Sequence, residues 1–274
     1  VAFLSPKSDG LKECWIDDEQ NGACTLEFDL PYQKNIEVLG EQDAAFTRAS
    51  TAYLPDGTQA ASGVPRFEPG KYGQAVVVEE ATTVTPGNAF FTTGVGDWIL
   101  YVTEGASATK QQVTGGNFGG YVARVDVVND GTSINSIQFE KNIGAVTNGQ
   151  KMACRIRIKA SAATTVIAKI LDNVSPYTVY GSLSLPLTAE FQEFTFVATA
   201  TKDTNAMVDL YLGNAGDNIT YEIDYICCEI GKAYSTSPYD GTRNKETLEI
   251  PTAGIINKDE GTIHIAIKPL TLQN

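Results

Sequence analysis

A chain of 274 residues is long enough for one to three domains, and its 42% hydrophobic and 19% charged content is that of an ordinary globular protein. A formal net charge of −13 argues against nucleic-acid binding, which needs clustered Lys and Arg, and against adhesion to anionic surfaces. No apolar run approaches the ~18 residues of a membrane-spanning helix. Thr, Val, Gly, Asn and Tyr are abundant and long runs of helix formers are missing, which points to an all-β fold.

The chain opens VAFLSPKSDG, without Met and without a signal peptide, and is expected to be processed, trimmed or cut from a longer chain. Residues 11–30, LKECWIDDEQNGACTLEFDL, predict a hairpin about Asn21-Gly22, with Cys14 facing Asp29 and Trp15 packed beneath it. Residues 31–47 are polar and irregular. The next stretch, RASTAYLPDGTQAASGVPRF (48–67), has two prolines, two glycines and no apolar period. Twenty structureless residues are uncommon inside a domain, so this is expected to be a boundary or docking segment. YGQAVVVEEATT (72–83) predicts a short strand and TPGNAFF (85–91) a break.

From about residue 88 to 232, short strands recur: DWILYVT, YVARVDVV, SIQFEKNI, KMACRIRIKA, TTVIAKILD, YTVYGSLSL, QEFTFVATA, AMVDLYLG and ITYEIDYICCEI. Turns such as NDGT, TNGQ and NAGDN separate them, the pattern of a sandwich or barrel. Alternation assigns faces. In MACRIRIKA, Met152, Cys154, Ile156 and Ile158 share one face and Arg155, Arg157 and Lys159 the other; in VDLYLG, Val208, Leu210 and Leu212 alternate with Asp209 and Tyr211. KAYSTSPYDGTRNKET follows as a linker, and LEIPTAGIINKDEGTIHIAIKPL as two strands around an acidic turn. Two strands cannot close a core, so these are expected to begin a further sandwich or to be borrowed by a neighbour. The divisions are therefore 1–45, a hairpin segment; 46–84, an extended linker; 85–233, a jelly roll; and 234–274, a linker with partial strands.

Five cysteines, Cys14, Cys24, Cys154, Cys227 and Cys228, make an odd count with an adjacent pair. They are expected to be mostly free thiols of a protein folded in reducing cytoplasm. The single histidine, His264, sits in an alternating run and suits a strand better than a triad or zinc site. No GxSxG, HExxH or P-loop pattern is present, and the adjacent pairs Glu79-Glu80, Asp17-Asp18-Glu19 and Asp259-Glu260 do not suit paired-carboxylate catalysis. The chain is expected not to be an enzyme.

Residues 88–232 resemble a carbohydrate-binding module of the family 4/9 type, a galactose-binding-like jelly roll. NAFFTTGVGDWILY, GGNFGGYVARVDV, KMACRIRIKASAATTVIAKILD, PYTVYGSLSLPLTAEFQEFTFVATATKDTNAMVDLYLGN and YEIDYICCEIG carry the resemblance. FTRASTAYLPDGTQAASGVPRF with GQAVVVEEATT resembles a linker of phage tail and other virion proteins. SPYDGTRNKETLEIPTAGIINKDEGTIHIAIKP resembles the lead-in to a concanavalin A-like (laminin G-like) sandwich. Together these imply a phage virion structural protein of the tail, fibre or adsorption type. Its expected partners are host-surface or cell-wall polysaccharide and other virion subunits, with a homo-oligomeric assembly and no nucleic acid or membrane. Its expected location is the virion, assembled in host cytoplasm, or alternatively outside the cell. The other readings are an accessory module of a secreted polysaccharide-degrading enzyme and a pure capsid or tail decoration protein.

Sugar binding needs flat apolar faces for the pyranose ring and polar groups for its hydroxyls. The expected binding face carries Gln138, Glu140, Arg155, Arg157, Lys169, Asp209 and Tyr211, with Tyr177 and Tyr180 of SPYTVYGS available for stacking. Three cations together would suit an acidic polysaccharide or teichoic-acid-like polymer. The alternative is that Arg155, Arg157 and Lys169 pair with Glu140 and Asp209 on a solvated or subunit face. The resemblance also implies a structural calcium, for which Asn88 and Asp224 are the nearest matches, although NAFFTT lacks the family's acidic residue after the first aromatic. Trp98 is expected in the core.

Overall fold

The structure, a computed structural model, describes residues 2–6, 12–16, 26–27, 37–38, 45–70, 73–103, 105–129, 137–214, 216 and 218–249. Every regular element among them is a strand. The chain forms two compact units: Val1–Pro55 with Gln59–Ala81 and Arg243–Pro269, and Asp56–Thr58 with Thr82–Thr242 and Leu270–Asn274.

The first unit is built from short antiparallel pairs. β1 (Ala2–Pro6) pairs with β2 (Lys12–Ile16), and β3 (Leu26–Glu27) with β4 (Glu37–Val38). The hairpin expected over 11–30 is thereby corrected. Cys14 stands opposite Leu4, not Asp29. In the sequence Asp9-Gly10 is as good a turn signal as Asn21-Gly22; both dipeptides lie outside the described residues. β5 (Ala45–Thr47) comes next. β6 (Ala52–Tyr53) pairs with β7 (Gln59–Ala60), and β8 (Arg66–Gly70) with β9 (Gly73–Val77). Apart from Asp56–Thr58, the stretch 48–67 is thus folded into this unit where an extended linker was expected.

The second unit is the jelly-roll β-sandwich. Its strands are β10 (Thr82–Thr85), β11 (Ile99–Val102), β12 (Ala106–Thr114), β13 (Tyr121–Asn129), β14 (Ile137–Val146), β15 (Lys151–Ala160), β16 (Thr164–Asp172), β17 (Val179–Leu187), β18 (Gln192–Thr199), β19 (Thr204–Leu212) and β20 (Asn218–Ile230). One sheet runs β11-β14-β19-β16-β17. The other is centred on the long strand β20, which pairs with β13 and β10 along one edge and β15 along the other; β12 and β18 lie beyond β13 and β15. The short β21 (Thr242–Arg243) adds to that sheet beside β10. The long segment of this unit runs from Thr82 to Thr242.

Period-two alternation fills the space between the sheets. Ile137, Phe139, Val166, Ala168, Ile170, Val208, Leu210 and Leu212 come from the five-stranded sheet, and Val125, Val127, Cys154, Ile156, Ile158 and Ile223 from the other. Trp98 is fully buried and stacks on Phe139, with centroids 4.9 Å apart. Cys154, Cys227 and Cys228 are buried free thiols. Gly181 lets β17 approach β18 at the sandwich edge, since a Cβ there would lie 3.0 Å from the Ala198 Cα.

The first unit has a charged centre. β22 (Thr247–Glu249) pairs with β5, so Arg48 meets Glu246 from the far end of the sequence. Glu246 accepts from Arg48 Nη1 (2.8 Å), Arg66 Nε (3.1 Å), Arg66 Nη2 and the Glu79 amide (2.8 Å). Glu79 Oε2 accepts from Arg66 Nη2 (2.6 Å) and pairs with Arg243 Nη2 (3.1 Å). All five residues are buried. Arg48 also donates to the carbonyls of Ser50, Ala61 and Val64, and Arg66 to that of Tyr53, which gives shape to the Pro- and Gly-rich stretch. The two arginines therefore anchor the segment inside its own unit. Residues 243–247, expected in a linker, and Leu248-Glu249, expected to open a strand, belong here; 250–274, with His264 and the rest of the predicted final strands, lie outside the described residues.

Removing one partner from a buried charge network strands the others, at about 3–5 kcal/mol. Glu246→Ala should destabilise the first unit on that scale and expose Arg48 and Arg66 to trypsin. Limited proteolysis followed by mass mapping checks this; unchanged resistance at both arginines would contradict the hub role of Glu246.

Candidate functional site

The outward face of the five-stranded sheet is set by the same alternation that fills the core. β19 is its central strand, and with Val208, Leu210 and Leu212 inside, Asp209 and Tyr211 point out. Register then aligns residues across the sheet. One row runs Tyr101, Gln138, Tyr211, Ile167, Ser184, and the next Ile99, Glu140, Asp209, Lys169, Ser182. Each row crosses four inter-strand gaps, roughly 19 Å, the span of a short oligosaccharide.

The ends of this face are apolar and its centre polar. Ile99 and Tyr101, each 55% exposed, stand on β11. Val174, Tyr177 at 60% exposure, and Val179 stand at the other end. The centre is Asp209, whose side chain is fully buried and whose two carboxylate oxygens both lack a hydrogen bond of ordinary geometry, the Tyr211 hydroxyl acting on them only as a weak donor. It stands directly opposite Glu140 on β14 and Lys169 on β16. The Lys169 ammonium lies over the Tyr211 ring, 3.6 Å from its centroid.

Burial, and then the charge of Glu140, push the Asp209 carboxyl up to about 7, with Tyr211 and Lys169 offsetting part of the rise. Burial raises Glu140 as well. The Tyr211 hydroxyl is pushed up to about 12 by burial and by Asp209. Like charges opposite one another on paired strands, one of them buried without a hydrogen bond of ordinary geometry, weaken the fold.

Of the expected site residues, Gln138, Glu140, Lys169, Asp209 and Tyr211 come together on this face, with Tyr177 at its end. Arg155 and Arg157 do not. β15 belongs to the opposite sheet, between β18 and β20, so both point away on the other side of the sandwich. There Arg155 pairs with Glu193 (3.3 Å), and Arg157 pairs with Asp224 and packs over Phe191 (4.5 Å). The expected cluster of three cations is corrected accordingly, as is the expected pairing of both arginines with Glu140 and Asp209. Tyr180 is corrected too. The register slips between Ile170 and Leu171, which leaves Tyr180 as the extra residue of a bulge; it packs against the core with its hydroxyl buried.

The expected calcium pair does not fit a metal. The Asn88 side chain donates to the Gly94 carbonyl (2.7 Å) and accepts from the Thr93 amide (3.0 Å). Asp224 is buried, pairs with Arg157, and accepts from the amides of Asn117 and Phe118. Gly116 admits it, since a Cβ there would lie 2.6 Å from Asp224 Oδ1. The cation beside Asp224 is a guanidinium. Among the described residues no group of three or more His, Cys, Asp or Glu could hold a metal ion.

Ile99 and Tyr101 were missing from the sequence-based site. Their outward position was encoded in ILYV, but all four residues are apolar and the alternation carries no contrast.

No protein-family profile and no curated protein matches the chain. Among solved structures it is similar to a CBM4 carbohydrate-binding module (23% identity, 52% of this chain and 97% of that one, TM-score 0.46). It is also similar to the N-terminal cellulose-binding domain of Cellulomonas fimi β-1,4-glucanase C (23%, 56% and 96%, TM-score 0.40). A third similar structure is the enzymatically active domain of bacteriophage CBA120 tailspike protein 4 (13%, 54% and 21%, TM-score 0.43).

A carboxyl whose folded value lies above its unfolded one binds extra protons in the native state, so its contribution to stability falls as pH rises between the two values. For Asp209 this window runs from about 4 to about 7. Wild-type protein should lose stability, by up to about 3 kcal/mol from this group, between about pH 5 and about pH 8. Asp209→Asn should show a smaller loss. Thermal unfolding at both pH values checks this; an equal loss in the variant would contradict the assignment.

Proposed function

We propose that the chain carries a non-catalytic carbohydrate-binding module whose ligand lies across the outward face of the five-stranded sheet. The observation that carries this is the row of aromatic and polar side chains. Exposed Tyr101 stands at one end of the row and exposed Tyr177 in the loop before β17, and Gln138, Glu140 and Tyr211 offer hydrogen-bonding groups around the buried Asp209. Aromatic rings stack on the apolar faces of sugars, and carboxylates accept from hydroxyls.

With Arg155 and Arg157 on the opposite sheet, the face holds two acids and one lysine. Nothing in that set favours an acidic polymer. The flanking sequences support placing the module in a phage virion protein of the tail, fibre or adsorption type, where many copies would raise avidity for a host glycan. A module of a secreted polysaccharide-degrading enzyme would present the same face, and mass spectrometry of purified particles separates the two.

The test is binding of the full chain to host cell walls and to soluble cello-, xylo- and laminari-oligosaccharides. Tyr101→Ala and Tyr177→Ala should each weaken binding about three- to tenfold, the worth of one stacked ring. Arg155→Ala should leave it unchanged. No binding by folded protein would favour a purely structural decoration role, and loss on Arg155→Ala would move the site to the other sheet.

A further inference from the structure

We propose that Lys169 is a movable cover on this face, passing between the Tyr211 ring and the Asp209 carboxylate, so that ring stacking on Tyr211 depends on which of the two holds the ammonium. The proposal rests on the sugar-binding reading and adds a control to the same site.

The geometry gives Lys169 two alternative partners. It stands directly opposite Asp209 in the β16–β19 register, the place where an ion pair is expected. Its ammonium instead occupies the Tyr211 ring at 3.6 Å, and both Asp209 oxygens are left buried without a hydrogen bond of ordinary geometry. A lysine stem has four rotatable carbons, and the ring and the carboxylate lie two residues apart on one strand, so one side chain serves either. A sugar ring cannot stack where the ammonium sits.

The groups facing Asp209 are Glu140 from β14, Lys169 from β16 and Tyr211 from its own strand, with Tyr177 acting on Tyr211 from the loop before β17. Ile99 on β11 and Ser182 on β17, at the ends of the row, carry no charge. When Asp209 holds a proton, the ammonium gains little by leaving the ring. Once Asp209 ionises, an unpaired buried carboxylate is costly, and a desolvated ion pair outweighs a cation–π contact. The ammonium then crosses to Asp209 and uncovers Tyr211. Burial and Glu140 place that ionisation at about 7, so the cover operates near neutrality.

The first test uses the full chain without ligand. In nuclear magnetic resonance, the Lys169 methylene signals should be ring-current shifted at about pH 5.5 and return toward ordinary positions by about pH 8.5, and Asp209→Asn should hold them shifted throughout. Signals that do not move with pH, or that move equally in Asp209→Asn, would overturn the proposal. In the second test, affinity for cellopentaose, xylopentaose or laminaripentaose should rise about three- to tenfold over the same range. Lys169→Ala should be tight at both pH values and Asp209→Asn weak at both. A pH effect that survives in Asp209→Asn, or weaker binding by Lys169→Ala, would overturn it. If none of the oligosaccharides binds at either pH, the sugar reading fails on its own, and the ligand-free titration still decides the movement of Lys169.

Discussion

The two-residue period of a strand, locked by the core, is the constraint on which the candidate site depends. On β19, Val208, Leu210 and Leu212 are buried, and each such side chain stabilises the fold by roughly 1.5–3 kcal/mol relative to exposure. A slip of one residue would send all three to solvent and bring Asp209 and Tyr211 into an apolar interior. The core therefore fixes the register, and the register fixes which residues meet outside. Glu140, Asp209 and Lys169 share a row because Phe139, Leu210 and Ala168 pack beneath them. The site inherits its alignment from hydrophobic packing that never touches a ligand.

The two units use charge in opposite ways. In the first, Arg48, Arg66 and Arg243 surround Glu79 and Glu246, and the hydrogen bonds among them are short and numerous. Buried ion networks add little net stability over apolar packing, but a missing member is costly, so they fix one arrangement of a Pro- and Gly-rich chain. On the outward face of the five-stranded sheet, Asp209 has the burial without the partners. The first unit's carboxylates sit in a satisfied network, and the Asp209 carboxyl is buried without one.

Alternation was legible in the sequence, and with it the all-β class, the strands between 99 and 230 other than β12 and the inward or outward sense of most residues on β15 and β19; β12, ASATKQQVT, went unread because small and polar residues fill both of its faces. What alternation cannot tell is which strands share a sheet. Arg155 and Lys169 both point outward, but β15 and β16 lie in different sheets, so consecutive strands put them on opposite sides of the sandwich. Tyr180 was misassigned because a one-residue bulge reverses the alternation, and no local residue type announces it. The hub of the first unit was hidden for another reason: Arg48 and Glu246 are 198 positions apart, and nothing in the sequence near either names the other. Asn88 and Asp224 matched a pattern by type, whereas Arg157, on β15 and far in sequence from Asn88's turn, already supplies the cation.

The most direct measurement is chemical-shift mapping of the isotope-labelled full chain titrated with soluble oligosaccharides and solubilised host cell-wall glycan. The account predicts shifts confined to β11, β14, β16 and β19, with Tyr101, Gln138, Lys169 and Tyr211 among the largest and Tyr177 moving with them. Shifts centred instead on Arg155, Arg157 and Phe191 would place the ligand on the opposite sheet and contradict it.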